Sequence, residues 1–316
     1  MTPPPDRRPA DRLPHDLWPL LSCPQCGGGL EPTAAGARCA ACGAAFGRRG
    51  EQLDLRLVRP KRLALDVTLG EPLQPEPPLD FLPLAPNPRP EVDLEAMRGP
   101  CALPLDLRSW FPRAERPGAR LLDLGCGTQV QREVAEHAGF EYVGLDYAAA
   151  EAMLLGDAHA LPFRDESFDA VLSIAVFEHL GFPQVAMREA FRVLRPGGVF
   201  FGTVAFMEPF HSASVYHHSH LGVLAGLRFG GFAVDWIAPS EPFWSGLDAL
   251  AHMGLFPGSP RWLSRALVLP LRLLHRLWWR AGRLVDANAT EPNRMLKNSG
   301  AVLFRARRPA GEGAGG

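Results

Sequence analysis

ARLLDLGCGTQVQREVAEHAGFEYVGLD, residues Ala119–Asp146, reads as strand, glycine turn, helix, strand and acidic end. Arg120 to Leu124 is a short apolar run of the kind that forms a buried parallel strand. Gly125-Cys126-Gly127 turns the chain tightly and bares its backbone, because neither glycine carries a Cβ to hold a ligand away. Gln129 to His137 has the polar and apolar mix of a helix, and Gly139 suits its C-terminal stop. Tyr142 to Leu145 is a second apolar strand. Asp146 ends it, where a carboxylate can accept both hydroxyls of a ribose. The pattern predicts the front half of a nucleotide-binding α/β unit. It departs from the G-x-G-x-x-G of dinucleotide folds, since Val130 stands at the third glycine position. Asp123, two residues before Gly125, puts a carboxylate at the strand end, facing a ligand that carries positive charge.

Further along, Gly156-Asp157-Ala158 follows a short apolar stretch. Asp157 there can accept from an adenine amino group while the next backbone N–H donates to the ring; as an ordinary feature it would be a helix N-cap. Phe168 to Ser173 is a buried strand. Phe177-Glu178-His179-Leu180 follows at its carboxyl end, where ligands bind in open α/β sheets. Val185 to Leu194 reads as an amphipathic helix and Arg195-Pro196-Gly197-Gly198 as its sharp stop. Val199 to Phe206, Gly231 to Ala238 and Ala301 to Arg307 read as strands, and Leu221 to Gly230 as a helix.

Taken in order, LLDLGCG, YVGLD, GDAHALPF, DESFDAVLS, FEHL and REAFRVLRPGGVFF resemble the class I S-adenosylmethionine (SAM)-dependent methyltransferases of the type 11 kind, over residues 119–240. The resemblance implies an α/β, Rossmann-like fold: a seven-stranded, mostly parallel sheet, helices on both faces, and an antiparallel last strand. It implies Asp123, Gly125 and Gly127 around the methionine part of SAM, Asp146 at the ribose, and Asp157 with Ala158 at the adenine. Cys126, Tyr147 and Ser173 complete the expected cofactor-binding set. Gln129 replaces the third glycine of the family loop, and the stretch between Asp146 and Gly156 is too short for the usual full helix.

Ahead of this domain, Cys23-x-x-Cys26 and Cys39-x-x-Cys42 stand twelve residues apart, the spacing of a zinc ribbon. Gly27 and Gly43 follow each pair, as tight knuckles require. Four thiolates in a tetrahedron suit a structural Zn²⁺ and leave no open position for catalysis. So short a segment has little core, and the metal is expected to supply the missing free energy. The expected organisation is a disordered tail at 1–15, a zinc ribbon at 16–58, a Pro-rich linker and cap at 59–118, a methyltransferase domain at 119–308 with a helical insertion at 241–290, and a disordered tail at 309–316.

The 316 residues carry a net charge of −1, so no global basic field announces a nucleic-acid partner. The only lysines are Lys61 and Lys297. No secretory signal pattern and no eighteen-residue apolar run is present, and the paired cysteines suit metal in a reducing compartment; a cytoplasmic protein is expected. Within the insertion, Arg265, Arg272, Arg276, Arg280 and Arg283 form a basic stripe beside a Leu/Trp face, with Pro270 as an expected kink. This stretch, 262–285, is either a peripheral contact to an anionic membrane, a grip on RNA phosphates, or a lid helix with its arginines in water.

Pro209-Phe210-His211 and Tyr216 resemble a segment of a trimmed methyltransferase subset that acts on glycan- or lipid-related and natural-product substrates. His211, His217, His218 and His220 crowd ten residues and form either a metal site or a polar loop. His211 is the candidate general base, with His179 and Glu178 as competitors; in-line transfer can also run on positioning alone. The expected activity is methyl transfer to an O or N nucleophile of a small-molecule or lipid-linked substrate. The alternatives are an rRNA base methyltransferase, a group in which a zinc ribbon also precedes the catalytic domain, and a non-catalytic SAM-fold scaffold with a docking ribbon.

Overall fold

A computed structural model describes residues 15–65, 87, 89–94, 97, 103, 105–211, 213–239, 245–282, 284–286 and 291–310. The expected tails 1–15 and 309–316, much of the linker 59–118, Cys101 and Arg283 fall wholly or mostly outside them. A 3-10 turn at His15–Leu20 leads into β1 (Leu30–Thr33), β2 (Gly36–Cys39) and β3 (Ala45–Phe46), a small antiparallel sheet. Then come β4 (Arg48–Arg49), β5 (Gln52–Asp54), α1 (Leu105–Arg108), β6 (Arg120–Leu124), α2 (Arg132–His137), β7 (Glu141–Asp146), β8 (Leu154–Leu155) and β9 (Phe168–Ile174). The rest is α3 (Pro183–Val193), β10 (Leu194–Ala205), α4 (His220–Gly230), β11 (Ala233–Pro239), α5 (Ser245–Ala249), α6 (Arg261–Leu267), α7 (Leu269–Gly282), α8 (Glu291–Asn298) and β12 (Ala301–Arg307).

The main sheet has nine strands in the order β11-β12-β10-β9-β6-β7-β8-β5-β4. Seven of them, β11 through β8, form the expected mostly parallel sheet, with β12 antiparallel to both its neighbours. The other two come from the N-terminal segment. β5 pairs in parallel with β8, Leu53 opposite Leu154 and Asp54 opposite Leu155, and β4 folds back on β5. The end of the segment expected as a zinc ribbon at 16–58 thus extends the sheet edge.

Alternation along the strands sorts the core onto two faces. Leu122, Leu124, Val143, Leu145, Val171, Phe200 and Phe304 face α3, α4 and the N-terminal Leu17, Leu21, Phe46, Leu53 and Leu55. Leu121, Tyr142, Ala170, Leu172, Phe201 and Leu303 face α2 together with Leu107 and Phe111. Phe111 meets Phe201 edge-on at 5.2 Å, and Trp110 lies 5.6 Å from Trp236, so the described end of the linker packs on this second face.

Two local expectations are corrected. β10 begins at Leu194 rather than Val199, because Arg195-Pro196-Gly197-Gly198 is carried as a bulge: the register with β9 jumps from Leu194–Phe168 to Val199–Ala170. Gly197 takes φ +82°, and Arg308 closes the bulge with bonds to Gly197 and Gly198. Pro270 does not kink a helix. The break falls at Val268, between α6 and α7, and Pro270 occupies the first turn of α7, where a missing N–H costs no intrahelical bond. The arginine stripe also divides. Arg265 and Arg272 pair with Asp248 at 2.9 and 3.4 Å, whereas Arg276 and Arg280 are exposed. No helix of the described residues is long and apolar enough to cross a membrane.

Candidate functional site

The site is built at the carboxyl ends of β6, β7 and β9. At the end of β6 the chain reverses through Gly125 (φ +77°) and Gly127 (φ +49°), both in the left-handed region. A Cβ on Gly125 would lie 2.3 Å from Val176 Cγ2, so the glycine lets the segment after β9 close against the turn. Around Gly127 nothing lies within 4 Å of a Cβ position, which leaves the bare backbone facing open space. Gln129, at the family's third glycine, also adopts φ +56°, a conformation that disfavours a residue with a Cβ. Its side chain donates to the Glu151 carbonyl, a local partner for the strained residue.

Two carboxylates flank this turn. Asp146 Oδ2 accepts from Gly127 N at 3.0 Å, and its Oδ1 accepts from Ala148 N and Ala149 N at 2.8 and 2.9 Å. Asp146 therefore fixes the turn and its own loop at once. Asp123 is buried and accepts a hydrogen bond from Tyr142 Oη at 2.7 Å. Burial pushes its carboxyl up to about 7; the Tyr142 bond opposes this and the neighbouring Asp146 charge adds to it. Cys126 is buried beside them, and burial drives its thiol far above the ordinary range. It is a packing residue with no reactive thiolate.

The missing helix after Asp146 has a replacement. Gln52, on β5, donates to the carbonyls of Ala149 and Ala152. Arg56 donates to the Tyr147 carbonyl at 3.3 Å and stacks over the Tyr147 ring at 5.3 Å, while that ring stays exposed. The N-terminal segment thus braces the loop that carries Asp146. Asp157 lies just beyond, half-buried, its Oδ1 accepting from His159 N at 2.9 Å and His159 Nδ1 at 2.7 Å. Phe182 N donates to His159 Nε2 at 3.2 Å, so Nδ1 is the nitrogen that carries the proton toward Asp157. Burial works to raise the Asp157 carboxyl, but the His159 contacts outweigh it and hold it below the usual range. Ala158 is buried next to it. Ser173 is buried within β9, its hydroxyl without a hydrogen-bond partner among the described residues. Gly202 on β10 faces its carbonyl so closely that a Cβ would lie 1.8 Å away.

Past β9, Ala175 takes φ +54° and its N–H is held by Thr203, at 3.1 Å from the carbonyl and 3.2 Å from Oγ1. Strain of this kind in a non-glycine residue persists only where its surroundings enforce it. It launches the single turn Phe177–His179 across the strand ends. Glu178 is completely buried, and neither carboxylate oxygen has a well-formed hydrogen bond among the described residues. Burial raises its carboxyl, the Glu178 and Ala205 backbone N–H groups pull it down, and Glu208 pushes it up. Burial and then the nearby His211 lower the imidazolium range of His179. Of the four clustered histidines only His211 joins this pair: its ring lies 5.4 Å from that of His179. His217 Nε2 turns to Ser214 Oγ at 3.3 Å, His218 Nε2 to the Phe177 carbonyl at 3.4 Å, and His220 opens α4. Among the described residues the loop histidines do not gather into a metal-ligand group of their own.

In the N-terminal segment the four cysteines converge. Their Sγ atoms all lie within 4.8 Å of one another, with Cys26–Cys39 at 3.5 Å and Cys23–Cys42 at 3.8 Å. Tetrahedral Zn–S bonds of about 2.3 Å require sulfur separations of ~3.8 Å, so the donor set and its spacing fit that ion. Gly27 and Gly43 take φ +77° and +72° at the knuckles, and Gly28 must stay bare because a Cβ would meet both Cys39 Sγ and Cys26 Sγ.

Tyr142 and His159 were not singled out in the sequence reading. Tyr142 read only as a strand residue, although it lies two positions before Gly144, the partner of Asp123 across β6 and β7. The Asp-x-His spacing of GDAH was the available signal for His159.

Residues 122–202 match the family model described as "Methyltransferase domain". Among curated relatives, the demethylmenaquinone methyltransferase of Renibacterium salmoninarum is 37% identical over 26% of this chain and 39% of its own length. The human protein named "Probable tRNA methyltransferase 9B" is 38% identical over 28% of this chain and 22% of its own length. The sterol 24-C-methyltransferase of Schizosaccharomyces pombe is 36% identical over 27% of each. The chain thus spans well under half the length of these relatives, and the family model covers the stretch from β6 into β10. With the sheet order found here, that match identifies residues 122–202 as a methyltransferase domain of the class I, Rossmann-like type.

Proposed function

We propose that this protein binds SAM over the Gly125–Gly127 turn and transfers its methyl group to an oxygen or nitrogen of a small-molecule or lipid-linked acceptor. The observation that carries the reading is the bare turn held between buried Asp123 and half-buried Asp146. In this reading Asp123 faces the positively charged methionine end and Asp146 takes the ribose hydroxyls. Asp157 and the Ala158 N–H take the adenine, with Cys126, Tyr147 and the unpaired Ser173 hydroxyl completing the pocket. The acceptor is presented at Glu178, His179 and His211. Its nucleophile attacks the methyl carbon in line, the carbon–sulfur bond breaks, and S-adenosylhomocysteine leaves with the electron pair. The cluster draws off the acceptor proton. Cys23, Cys26, Cys39 and Cys42 hold a structural Zn²⁺ whose four thiolates leave no open position for this chemistry. Transfer of label from methyl-labelled SAM to a cell extract tests the acceptor class. Label in the organic-soluble or small-molecule fraction is expected, and label confined to RNA contradicts the reading.

Asp123 gives the cofactor site a pH dependence. An ordinary aspartate titrates near ~3.9, whereas this one does so at about 7. Between those values the unfolded chain is ionised and the folded chain keeps its proton, so ligand-free stability falls as pH rises through that window. A positive ligand prefers the ionised form. SAM affinity is therefore expected to climb by up to about tenfold per unit toward pH 7 and then level off. Titrations across pH 5.5–8 check this; a flat wild-type profile, or an unchanged slope in Asp123→Asn, argues against it.

A lipid-linked acceptor fits the surface of α7, which buries none of its described residues. Leu271, Leu274, Leu277 and Trp278 lie exposed on one side, Trp278 at 74%. Arg276 and Arg280 are exposed beside them and complement an anionic lipid surface. Sedimentation with phosphatidylglycerol vesicles is expected to carry the protein down. Leu274→Glu with Trp278→Glu should cut the partition roughly tenfold or more. Equal partition of both proteins would remove the membrane from this reading.

A further inference from the structure

One carboxylate at the acceptor end has no adequate partner. Glu178 is completely buried at the end of β9, yet neither of its oxygens makes a well-formed hydrogen bond to a described residue. A buried carboxylate left this way is costly unless something positive or donating reaches it. His179 Nδ1 next to it is likewise buried, with no hydrogen-bond partner among the described residues. His211 completes the group: one ligand atom from each of Glu178, His179 and His211 lies within 4.8 Å of the others. His211 Nδ1 is 2.9 Å from the Pro209 carbonyl, which can only accept, so Nδ1 carries the proton and Nε2 keeps its lone pair. A metal-binding histidine is oriented in just this manner, by a carbonyl on its other nitrogen. The backbone is fixed as well. Val215 N and Tyr216 N donate to the Glu178 carbonyl at 2.6 and 3.0 Å, tying the loop that bears His211 to the turn that bears the other two.

We propose that Glu178, His179 and His211 form a second metal site, for one divalent transition-metal ion, at the acceptor end of the cofactor cleft. Two imidazoles and a carboxylate suit a first-row divalent ion and leave coordination positions open. Ligand bonds of about 2.1 Å span up to ~4.2 Å across the ion, so a small inward rotation of these side chains closes the site. Val176, next to this turn, packs against Gly125 and sets the site beside the cofactor turn. An ion there neutralises the buried Glu178. It also acidifies a coordinated acceptor hydroxyl, which is how the cluster would draw off the proton. This use of the ion rests on the methyltransferase reading; the binding of the ion does not.

The test is titration of full-length, zinc-loaded protein with Co²⁺, followed by calorimetry and absorbance, with SAM titrated into a second portion. One equivalent of Co²⁺ is expected at micromolar affinity, with visible bands and no intense thiolate-to-cobalt charge-transfer band. Glu178→Gln and His211→Ala should each weaken uptake roughly 100-fold. His211 lies on a partly exposed loop, so His211→Ala serves even if Glu178→Gln fails to fold. The site is overturned by an absence of saturable uptake, by unchanged uptake in His211→Ala, or by a thiolate charge-transfer band, which would place the cobalt at the cysteines. Cobalt failing while SAM binds removes only the metal site. SAM failing while cobalt binds removes the methyltransferase reading and leaves the metal site standing.

Discussion

Asp146→Ala is expected to lower SAM affinity by roughly 100-fold or more while the protein stays folded. The carboxylate does two things that alanine cannot. It accepts from Gly127 N and so sets the left-handed turn, and it accepts from Ala148 N and Ala149 N and so shapes the loop beyond β7. In the proposed SAM complex the same oxygens would take the two ribose hydroxyls. Each hydrogen bond to a charged group contributes about 1.5–3 kcal/mol, so losing the pair corresponds to a factor between about 10² and 10⁴. The fold should survive, because Asp146 is half-buried at a strand end and β7 remains paired with β6 on one side and β8 on the other. Thermal unfolding within a few degrees of wild type, together with lost SAM heat in calorimetry, is the predicted result. Retained affinity would move the ribose contact elsewhere.

Removing the zinc proposed for the four cysteines is expected to damage the proposed cofactor site as well as the ribbon. The four-cysteine segment is not an appended module in this fold. β5 pairs with β8, Leu21 bridges to Phe163, and the N-terminal Leu53 and Leu55 share one core with Leu122 and Leu145. Gln52 and Arg56 hold the 147–152 loop that a helix would otherwise stabilise. Structural zinc supplies free energy on the scale of a whole small domain. Losing it should therefore release the sheet edge beside Asp146 and Asp157. A strong chelator, or Cys23→Ser with Cys39→Ser, is predicted to lower the melting temperature by roughly 10 °C or more and to weaken SAM binding in parallel. Chelation that melts nothing, or that lowers stability with SAM affinity intact, contradicts this coupling.

Local pattern carried much of the architecture. The apolar runs at 120–124, 142–145, 168–173 and 301–307 became strands within a residue or two, because parallel strands buried on both faces need such runs. Gly125 and Gly127 were legible because only bare backbone satisfies the turn. What stayed hidden depends on distant partners. Nothing in EQLDLR announces that β5 would join β8 about a hundred residues later, since a three-residue edge strand has no periodicity to read. The RPGG stretch read as the stop of the preceding helix, because Pro and Gly end helices, yet Arg308, just after the last strand, also holds it in the sheet as a bulge. Glu178, His179 and His211 were singled out separately as competing bases; that they meet depends on the positive φ of Ala175 and on loop bonds to the Glu178 carbonyl, both tertiary in origin. The arginine stripe was periodic in sequence, but Asp248 takes two of its members.

Calorimetric titration of full-length, zinc-loaded wild-type protein with SAM at pH 7.5 tests the cofactor cleft most directly. Saturable binding of one SAM per chain in the micromolar range is predicted. A cooperatively folded protein that binds neither SAM nor S-adenosylhomocysteine would contradict it.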